Sequence, residues 1–331
     1  MLHVRTPIHT KLLLMLANWV TTVAVASFCQ LVQLLPKHST YRLAPVVGRL
    51  LRMGSRDVII DNMKMVLGST EWSREQWITL WNAHIKHVGL TIIESIRFLK
   101  MNKEQLCNAV SIEGERYLRK ALQSGRGAML FVNHQGNVGC LIAGLGARGY
   151  DVSIAGNAMP LAYVEKKVKE MYMHGGVKRV LLGDQLPSRI AQTLQNNAVF
   201  GVFIDLTVVR KHNVWVPFGH AQIMINLGPA ILAVRNQADV LCVSCMRLPG
   251  NRHRLIIHPP LQRVTAMDTL DEALHLLQEA MNVLSEDIRV RPDQWWAWDW
   301  TPVRENVKIE SERRTRAPMI KGNLIQTNNN G

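Results

Sequence analysis

Two spacings of apolar residues divide the chain into a helical N-terminal part and a part in which strands and helices alternate. From Tyr41 to about Leu106, apolar residues recur every three or four positions, which predicts helices, and SREQW at 73–77 predicts a capped helix start. Farther along, short apolar and partly β-branched runs predict strands at 127–132, 151–156, 198–205, 238–246 and 252–259. Helical patterns fall at 140–147, 160–173, 187–196, 227–236 and 268–290. This alternation predicts an α/β domain with a mainly parallel sheet flanked by helices.

The N-terminal segment predicts a membrane helix. Residues from Leu12 to Leu35 carry no charge and form a stretch long enough to span a bilayer, so we predict an uncleaved anchor over residues 1–36. More positive charge follows this stretch than precedes it, which by the positive-inside rule places the rest of the chain in the cytoplasm. A helix lying in the membrane surface is the alternative, because polar residues interrupt the segment: Asn18, Thr21, Thr22, Ser27, Gln30 and Gln33.

Composition adds a large core and a strong positive charge. The chain has 331 residues, of which 47% are hydrophobic, so it can bury a sizeable core. Its formal net charge of +14 indicates nucleic acid, an anionic membrane surface or an acidic protein as partner. We predict no nucleic-acid binding, because the sequence shows no basic recognition helix, no aromatic-and-basic strand motif and no zinc module.

Cysteine and histidine residues do not indicate a metal site. Cys242 and Cys245 form a CxxC pair, but they lie in an apolar run, so we expect both in a core strand. His220, His253 and His258 lack the spacing of metal ligands. We therefore predict neither a metal nor an organic cofactor.

The sequence FVNHQGNVGC at 131–140 holds the strongest candidate for catalysis. His134 follows a predicted strand and precedes a predicted helix, and ligands of open α/β sheets bind at the carboxyl ends of strands. Gly136 permits close approach of a substrate, Asn137 is placed to cap the helix, and the amides of this turn are candidates for holding an oxyanion. A capped loop with a structural imidazole is the alternative.

Several segments between residues 56 and 304 carry a shared pattern in a fixed order. They are RDVIIDNMKMVL (56–67), GLTIIESIRF (89–98), GRGAMLFVNHQGN (125–137), AVFGVFIDLT (198–207), VWVPFGHAQIMINLGPAILAVRNQADVL (214–241) and VRPDQWWAWDW (290–300). As an ordered set they resemble the bacterial lipid A late acyltransferases, the lauroyl and myristoyl transferases of the wider lysophospholipid acyltransferase group. The block at 125–137 is similar to the active-site block of that family.

The resemblance implies a fold, a reaction and a location. It implies a glycerolipid acyltransferase-like α/β domain over 37–303, followed by a charged tail (304–331) that its composition predicts to be disordered. The implied reaction moves a fatty acyl group from a thioester, on acyl carrier protein or coenzyme A, to a hydroxyl of a membrane glycolipid, on the cytoplasmic side of the inner membrane. His134 would remove the acceptor's proton, and the basic surface would attract the acidic carrier protein.

Three positions depart from the family pattern. The family has a carboxylate at the fifth position after its histidine, but Gly139 stands there in this sequence. AGNAMPL at 155–161 lacks the arginine that is usual in the family, and Asp299 stands where a histidine is common. The departures bear on activity, because loss of an orienting carboxylate lowers catalytic rates strongly in other histidine-dependent enzymes.

Three interpretations of the missing carboxylate stay open. Asp205 replaces it, with Glu94 the poorer candidate; or His134 acts alone on a more nucleophilic acceptor such as an amine; or the protein is catalytically silent and binds acyl chains, lipid or carrier protein. We predict His134 and Asp205 as the catalytic pair. The predicted substrate contacts are Asn133, Gly136, Asn137, Glu94, Lys178 and Arg179.

Overall fold

The N-terminal part is helical, as its apolar spacing predicts. The computed structural model of the protein describes residues 8–68, 72–156, 161–181, 185–206, 212–264 and 267–305. Its first helices are α1 (Ile8–Leu34), α2 (Lys37–Arg42), α3 (Ala44–Leu51), α4 (Arg56–Leu67) and α5 (Arg74–Phe98). The predicted start of α5 is confirmed, because Ser73 and Gln76 form a reciprocal capping box.

Helix α5 is the element against which the other N-terminal helices pack. Gly48 of α3 touches the carbonyl of Ile85, and Gly89 of α5 touches the carbonyl of Ala44, so that a Cβ at either glycine would overlap backbone. The two helices can therefore approach each other closely. Arg97 near the end of α5 donates to the carbonyls of Val32 and Leu35 and so satisfies the C-terminal end of α1.

The remaining elements alternate between helix and strand. The helices are α6 (Lys103–Ala109), α7 (Glu115–Gln123), α8 (Val138–Ala147), α9 (Ala162–His174), α10 (Leu186–Gln195), α11 (Gly228–Arg235) and α12 (Thr269–Val290). The strands are β1 (Val110–Glu113), β2 (Ala128–Val132), β3 (Val152–Ala155), β4 (Arg179–Leu181), β5 (Val199–Phe203), β6 (Asn213–Phe218), β7 (Ala221–Asn226), β8 (Asp239–Leu248), β9 (Arg252–Pro260) and β10 (Val303–Glu305).

Within the described residues the main sheet has seven strands in the order β1-β9-β8-β2-β5-β3-β4. All neighbouring pairs are parallel except β8 with β9, which are antiparallel. The central strands β2 and β5 are buried along nearly their whole length, as expected for parallel strands covered on both faces. The predicted mainly parallel sheet flanked by helices is confirmed.

A small antiparallel sheet of β10, β7 and β6 lies beside the main one. The sequence analysis missed it, and also missed β1 and β4, because these strands are short or carry polar residues. The predicted boundary of the tail also changes, since Arg304 and Glu305 pair with β7 as part of β10. Residues 306–331, where we predict disorder, lie outside the described residues.

Each strand and helix predicted between residues 127 and 290 has an observed counterpart. Cys242 and Cys245 are fully buried in β8, as predicted, and burial raises the pKa of the Cys245 thiol to about 12. These cysteines are therefore packing residues.

The prediction of a membrane-spanning anchor is not supported. Helix α1 has 27 residues, but among the residues that the structure describes no helix combines the length and apolar character that crossing a bilayer requires. The physical reason lies in the polar side chains along α1, such as Asn18, Thr22 and Gln30, each of which is costly in hydrocarbon. The C-terminal end of α1 instead packs on the protein, where Val32 is buried with Leu90, Ile93 and Ile96.

Candidate active site

The register of two neighbouring strands brings His134 and Asp205 together. Strands β2 and β5 are parallel, and Val132 pairs with Phe203. His134 and Asp205 each follow these paired residues by two positions, so both emerge at the carboxyl edge of the sheet. The Nδ1 atom of His134 lies 2.7 Å from Oδ1 of Asp205.

Asp205 is a buried carboxylate whose contacts fix its orientation. Its side chain is 0% exposed. Oδ2 accepts from the backbone amide of His134 at 2.6 Å and from Nε1 of Trp295 at 2.7 Å. The Thr301 hydroxyl donates to the main-chain carbonyl of Asp205 at 2.7 Å. Four hydrogen bonds from three residues therefore hold the aspartate in place.

This arrangement selects one tautomer of His134. An ionised carboxylate only accepts hydrogen bonds, so Nδ1 must be the donor, and Nε2 of the neutral ring keeps its lone pair. The side chain is 15% exposed. The ring lies between Phe203, with ring centroids 4.2 Å apart, and the edge of Trp300 at 5.8 Å. The imidazole is thus oriented, partly accessible and chemically able to take a proton.

The tryptophan-rich segment 294–300, here called the strap, packs against the turn that contains His134. The Trp296 amide donates to the carbonyl of His134 at 2.9 Å, and the Gly136 amide donates to the carbonyl of Gln294 at 2.9 Å. Trp295 and Trp298 are fully buried, whereas Trp300 is 43% exposed. Core packing, rather than a membrane-facing position, therefore accounts for two of these tryptophans.

Arg52 anchors the strap, and the sequence analysis missed this role. Its Nη1 donates to Oδ1 of Asp299 at 2.6 Å, and its Nη2 donates to the carbonyl of Trp296 at 2.7 Å. The guanidinium also lies over the rings of Trp296 and Trp300, at 5.3 and 5.0 Å from their centroids. Burial lowers the pKa of Arg52, and Asp299 opposes that shift. A buried ion pair between Arg52 and Asp299 thus fixes this part of the strap.

The turn after His134 is shaped by backbone contacts. Gly136 has a φ of 67°, and a Cβ there would overlap the carbonyl oxygen of Cys245 in β8. Glycine at this position therefore allows the turn to pack against β8. This packing accounts for the glycine without any contact to a substrate. The amides of His134 and Gly136 are already hydrogen-bonded, so the predicted oxyanion role of these two groups has no support. The predicted cap is confirmed, because Oδ1 of Asn137 accepts from the amide of Gly139 at 3.1 Å.

Gly139 is buried, and a Cβ there would meet the end of the Met171 side chain, which would have to shift to admit a longer residue. A Cβ at this position would lie 2.8 Å from Sδ of Met171 and 3.2 Å from Oδ1 of Asn137. The methionine side chain occupies the volume that a longer residue would need. Asp205 supplies the carboxylate from the neighbouring strand instead.

Glu94 is engaged elsewhere. Its Oε1 accepts from Arg247 at 2.9 Å, and its Oε2 accepts from Nδ2 of Asn137 at 3.2 Å and lies 3.2 Å from Nε2 of His253. The residue is buried, and these partners take both of its oxygens. The structure therefore separates the two carboxylates that the sequence left open, and it places Asp205, not Glu94, on His134.

The other predicted contact residues are not gathered around the imidazole. Asn133 is buried and donates to Gln135 at 3.3 Å. Lys178 pairs with Asp151 at 2.8 Å, next to the amino ends of β3 and β4, which is the sheet edge opposite His134. Arg179 begins β4 at that same edge; its side chain lies outside the described residues. The prediction that Lys178 and Arg179 contact substrate beside His134 is not supported by these positions.

Comparison with known proteins places this geometry in a family. No curated protein sequence matches the chain. The profile of the bacterial lipid A biosynthesis acyltransferases matches residues 6–298, which is nearly the whole chain and includes His134, Asp205 and the strap up to Trp298. The match supports acyl transfer to a lipid as the general activity. The chain therefore belongs to the bacterial lipid A biosynthesis acyltransferase family.

Proposed function

We propose that the protein transfers a fatty acyl group from an acyl thioester on acyl carrier protein to a hydroxyl or amine of a lipid or glycolipid. His134 is the general base and Asp205 the carboxylate that orients it. The observation that carries this proposal is the 2.7 Å contact between His134 Nδ1 and a buried Asp205 carboxylate. It favours an active site over a silent one, because the function of the absent motif carboxylate is taken over by another residue.

The tautomer of His134, with its proton on Nδ1, leaves Nε2 free to accept a proton in the proposed reaction. The acceptor's O–H or N–H faces Nε2 of His134, which takes the proton as the acceptor attacks the thioester carbonyl. A tetrahedral intermediate forms and collapses by breaking the C–S bond. The imidazolium then returns its proton to the departing thiolate, which restores the neutral ring. Asp205 stabilises the positive ring between these two proton transfers.

Two features support a carrier protein as donor and a membrane lipid as acceptor. The net charge of +14 favours an acidic partner such as a carrier protein. Exposed apolar side chains on the N-terminal helices lie near basic ones, which suits the cytoplasmic surface of an anionic inner membrane. The apolar set is Trp19, Val20, Val23, Leu31, Leu34, Val46, Leu50, Leu51 and Met53, and the basic set is Lys37, Arg42, Arg49 and Arg56.

The test is acyl transfer by the purified full chain, with acyl carrier protein thioester as donor and a panel of lipid acceptors. We expect Asp205→Asn to lower kcat on the order of 10³-fold or more, by analogy with the aspartate of serine hydrolase triads. His134→Ala is expected to remove transfer, and it tests the same idea at a partly exposed position where folding is less at risk. Asp239→Asn, at the amino edge of the sheet, is the matched control.

Two results would contradict the proposal. One is full transfer activity in a folded His134→Ala variant. The other is that the wild-type protein binds the acyl thioester but transfers the acyl group to none of the acceptors tried, which would favour the silent, acyl-binding interpretation. Circular dichroism of each variant separates loss of activity from loss of fold.

A further inference from the structure

Gln135, the residue after His134, connects the histidine turn to the last turn of α12. The side chain of Gln135 is fully buried, and its Nε2 donates to the main-chain carbonyl of Asp287 at 2.8 Å. Its Oε1 accepts from Nδ2 of Asn133 at 3.3 Å. The buried amide is therefore bonded at both ends, which fixes its orientation.

The carbonyl of Asp287 can accept this bond because it lies at the end of a helix. Asp287 belongs to the last turn of α12, and the carbonyls of a last turn have no amide partner within the helix. The amide of Arg291, four residues farther on, donates instead to the carbonyl of Ile288. The Gln135 side chain thus acts as a capping donor for α12, and the end of this helix becomes an attachment point for the His134 turn.

The side chain of Asp287 holds the end of α12 against the main sheet. Its Oδ2 accepts from the hydroxyl of Ser244 in β8 at 2.5 Å and lies 2.8 Å from Nε2 of His258 in β9. Ser244 is fully buried, and the side chains of Asp287 and His258 are mostly buried. Contacts from two strands therefore fix the residue whose carbonyl receives Gln135.

The strap and Asp205 hold the main chain of the histidine turn, whereas α12 holds it through a side chain. Gln135 forms an isolated antiparallel bridge with Trp295 of the strap, and the His134 amide donates to Asp205 at 2.6 Å. Neither contact involves α12. The Gln135 side chain therefore attaches the turn to a further element, and attachments in different directions restrict its movement.

We propose that Gln135 is a positioning residue for His134 and that the end of α12, fixed through Asp287, is the anchor to which it is bonded. This inference rests on the proposed function of His134 as the general base. A base must lie within hydrogen-bond reach of the proton that it takes, and a misplacement of about 1 Å lowers rates on the order of 10²-fold. Loss of the Gln135 bond frees the turn to shift, which displaces Nε2 of His134 from the acceptor and Nδ1 from Asp205.

The first test replaces Gln135 in the full chain. Gln135→Met keeps the length of the side chain and removes its donor, so we expect kcat for transfer from acyl carrier protein thioester to fall on the order of 10²-fold, with KM changed less than about threefold. Nuclear magnetic resonance with isotopically labelled histidine reports which ring nitrogen carries the proton, and the signals lost in His134→Ala identify those of His134. We expect the Nδ1-protonated form in the wild type and a mixture of both tautomers in Gln135→Met. Gln123→Met, exposed at the end of α7, is the matched control.

A second set of variants tests the anchor without changing a residue of the histidine turn. Asp287→Ala removes the contacts to Ser244 and His258, and we expect kcat to fall on the order of tenfold. Asp287→Asn keeps an oxygen acceptor for the serine hydroxyl and is expected to stay within about threefold of the wild type. Glu286→Ala, exposed on the same helix, is the matched control. Circular dichroism gives the folded fraction of each variant, so that rates are compared per folded molecule.

Each outcome decides for or against the positioning role. A lower kcat together with mixed tautomers in folded Gln135→Met supports it. A wild-type kcat or an unchanged tautomer in that variant overturns it, as does a loss of activity in Asp287→Ala that Glu286→Ala matches. If Gln135→Met does not fold, Asp287→Ala decides by the same two measurements. Because the tautomer is measured without turnover, it tests the positioning of His134 even if the wild-type chain transfers no acyl group, a result that would contradict the proposed function.

Discussion

At the scale of single residues, the carboxylate that contacts His134 comes from the adjacent strand and not from the turn after the histidine. Gly139 has no side chain to offer the histidine, and Asp205 reaches His134 from the adjacent strand. The histidine has two ring nitrogens, of which only Nδ1 needs an acceptor for Nε2 to act as base. Once Asp205 fills that role, a carboxylate at position 139 is no longer required to orient the ring.

Gly139→Asp tests this substitution of roles. We expect no gain in acyl transfer, either in the wild-type background or in Asp205→Asn, because Met171 lies where the new side chain begins. We expect the free energy of unfolding to fall by about 1–3 kcal/mol, since the change crowds a packed site and buries a polar group. Gly139→Ala separates the steric part from the charge. Recovery of activity in Gly139→Asp/Asp205→Asn would show that position 139 can still serve the histidine.

Buried histidines predict how stability depends on pH. Burial, aided by the charge of Arg52, lowers the pKa of His84 to about 3, and burial also lowers the pKa of His87 well below its ordinary value. In the unfolded chain a histidine takes a proton below about pH 6.5, whereas the folded protein keeps these two neutral. The contribution of both histidines is therefore complete above about pH 6.5; that of His84 is lost as pH falls toward about 3, and that of His87 also falls with acidification.

The measurement is urea unfolding at several pH values. We expect the free energy of unfolding to fall with acidification by as much as ~1.4 kcal/mol per pH unit for each histidine. His84→Asn keeps a donor near the position of Nδ1, which faces the Asp293 carbonyl at 3.2 Å, and is expected to reduce this slope by about one proton. An identical slope in wild type and variant would show that His84 does not titrate as its burial implies.

At the scale of elements, the strap contacts both the His134 turn and Asp205. It hydrogen-bonds to the His134 turn through Trp296 and Gln294, and to Asp205 through Trp295. At its far end Arg52, which caps α3, holds it through Asp299. Arg52 and the strap, which are far apart in the sequence, thus pack next to the His134–Asp205 pair, and we expect Arg52 to act as a positioning residue.

Arg52→Ala tests that positioning role. We expect the free energy of unfolding to fall by about 3 kcal/mol, since a buried ion pair loses one partner, and we expect kcat to fall more than KM rises. Arg49→Ala, on an exposed face of the same helix, is expected to stay within ~0.5 kcal/mol of wild type. An unchanged kcat in folded Arg52→Ala would mean that the strap contributes stability only. Arg52→Lys, which keeps the charge, tests whether the two-pronged contact itself is required.

At the scale of the whole molecule, the N-terminal helices α1 to α4 carry both basic residues and exposed apolar residues. Helix α1 packs on α5 near its C-terminal end and shows apolar side chains on its other faces. Helix α3 contributes to the same buried cluster and also exposes apolar residues, and α2 to α4 carry basic residues. Under the proposed function, this part of the protein is where we expect contact with an anionic bilayer.

Leu50→Glu tests the proposed membrane contact of α3. The side chain is 67% exposed on α3, so the fold should tolerate the change, while binding to anionic vesicles should weaken about tenfold or more because an apolar contact becomes a repelling charge. Val290→Glu, 61% exposed at the end of α12, is the matched control. Vesicle flotation measures both variants. Equal flotation of the wild type and Leu50→Glu would move the membrane contact away from α3.

Some features of the protein were determined by the sequence alone. Apolar spacing, β-branched runs and capping residues act within a few positions, so they predicted the helices and strands between residues 127 and 290 and the capped start of α5. Local signals also identified His134 at a strand end and the Asn137 cap. They failed at β1, β4 and the small antiparallel sheet, whose strands are short or carry polar residues and depend on their neighbours more than on their own composition.

Only the tertiary structure decided which groups meet. Asp205 lies 71 positions from His134, and Arg52 lies 247 positions from Asp299. No spacing rule connects residues at such separations, because their contact depends on strand order and register. The sequence offered Asp205 and Glu94 as alternatives, and the pairing of β2 with β5 selected Asp205.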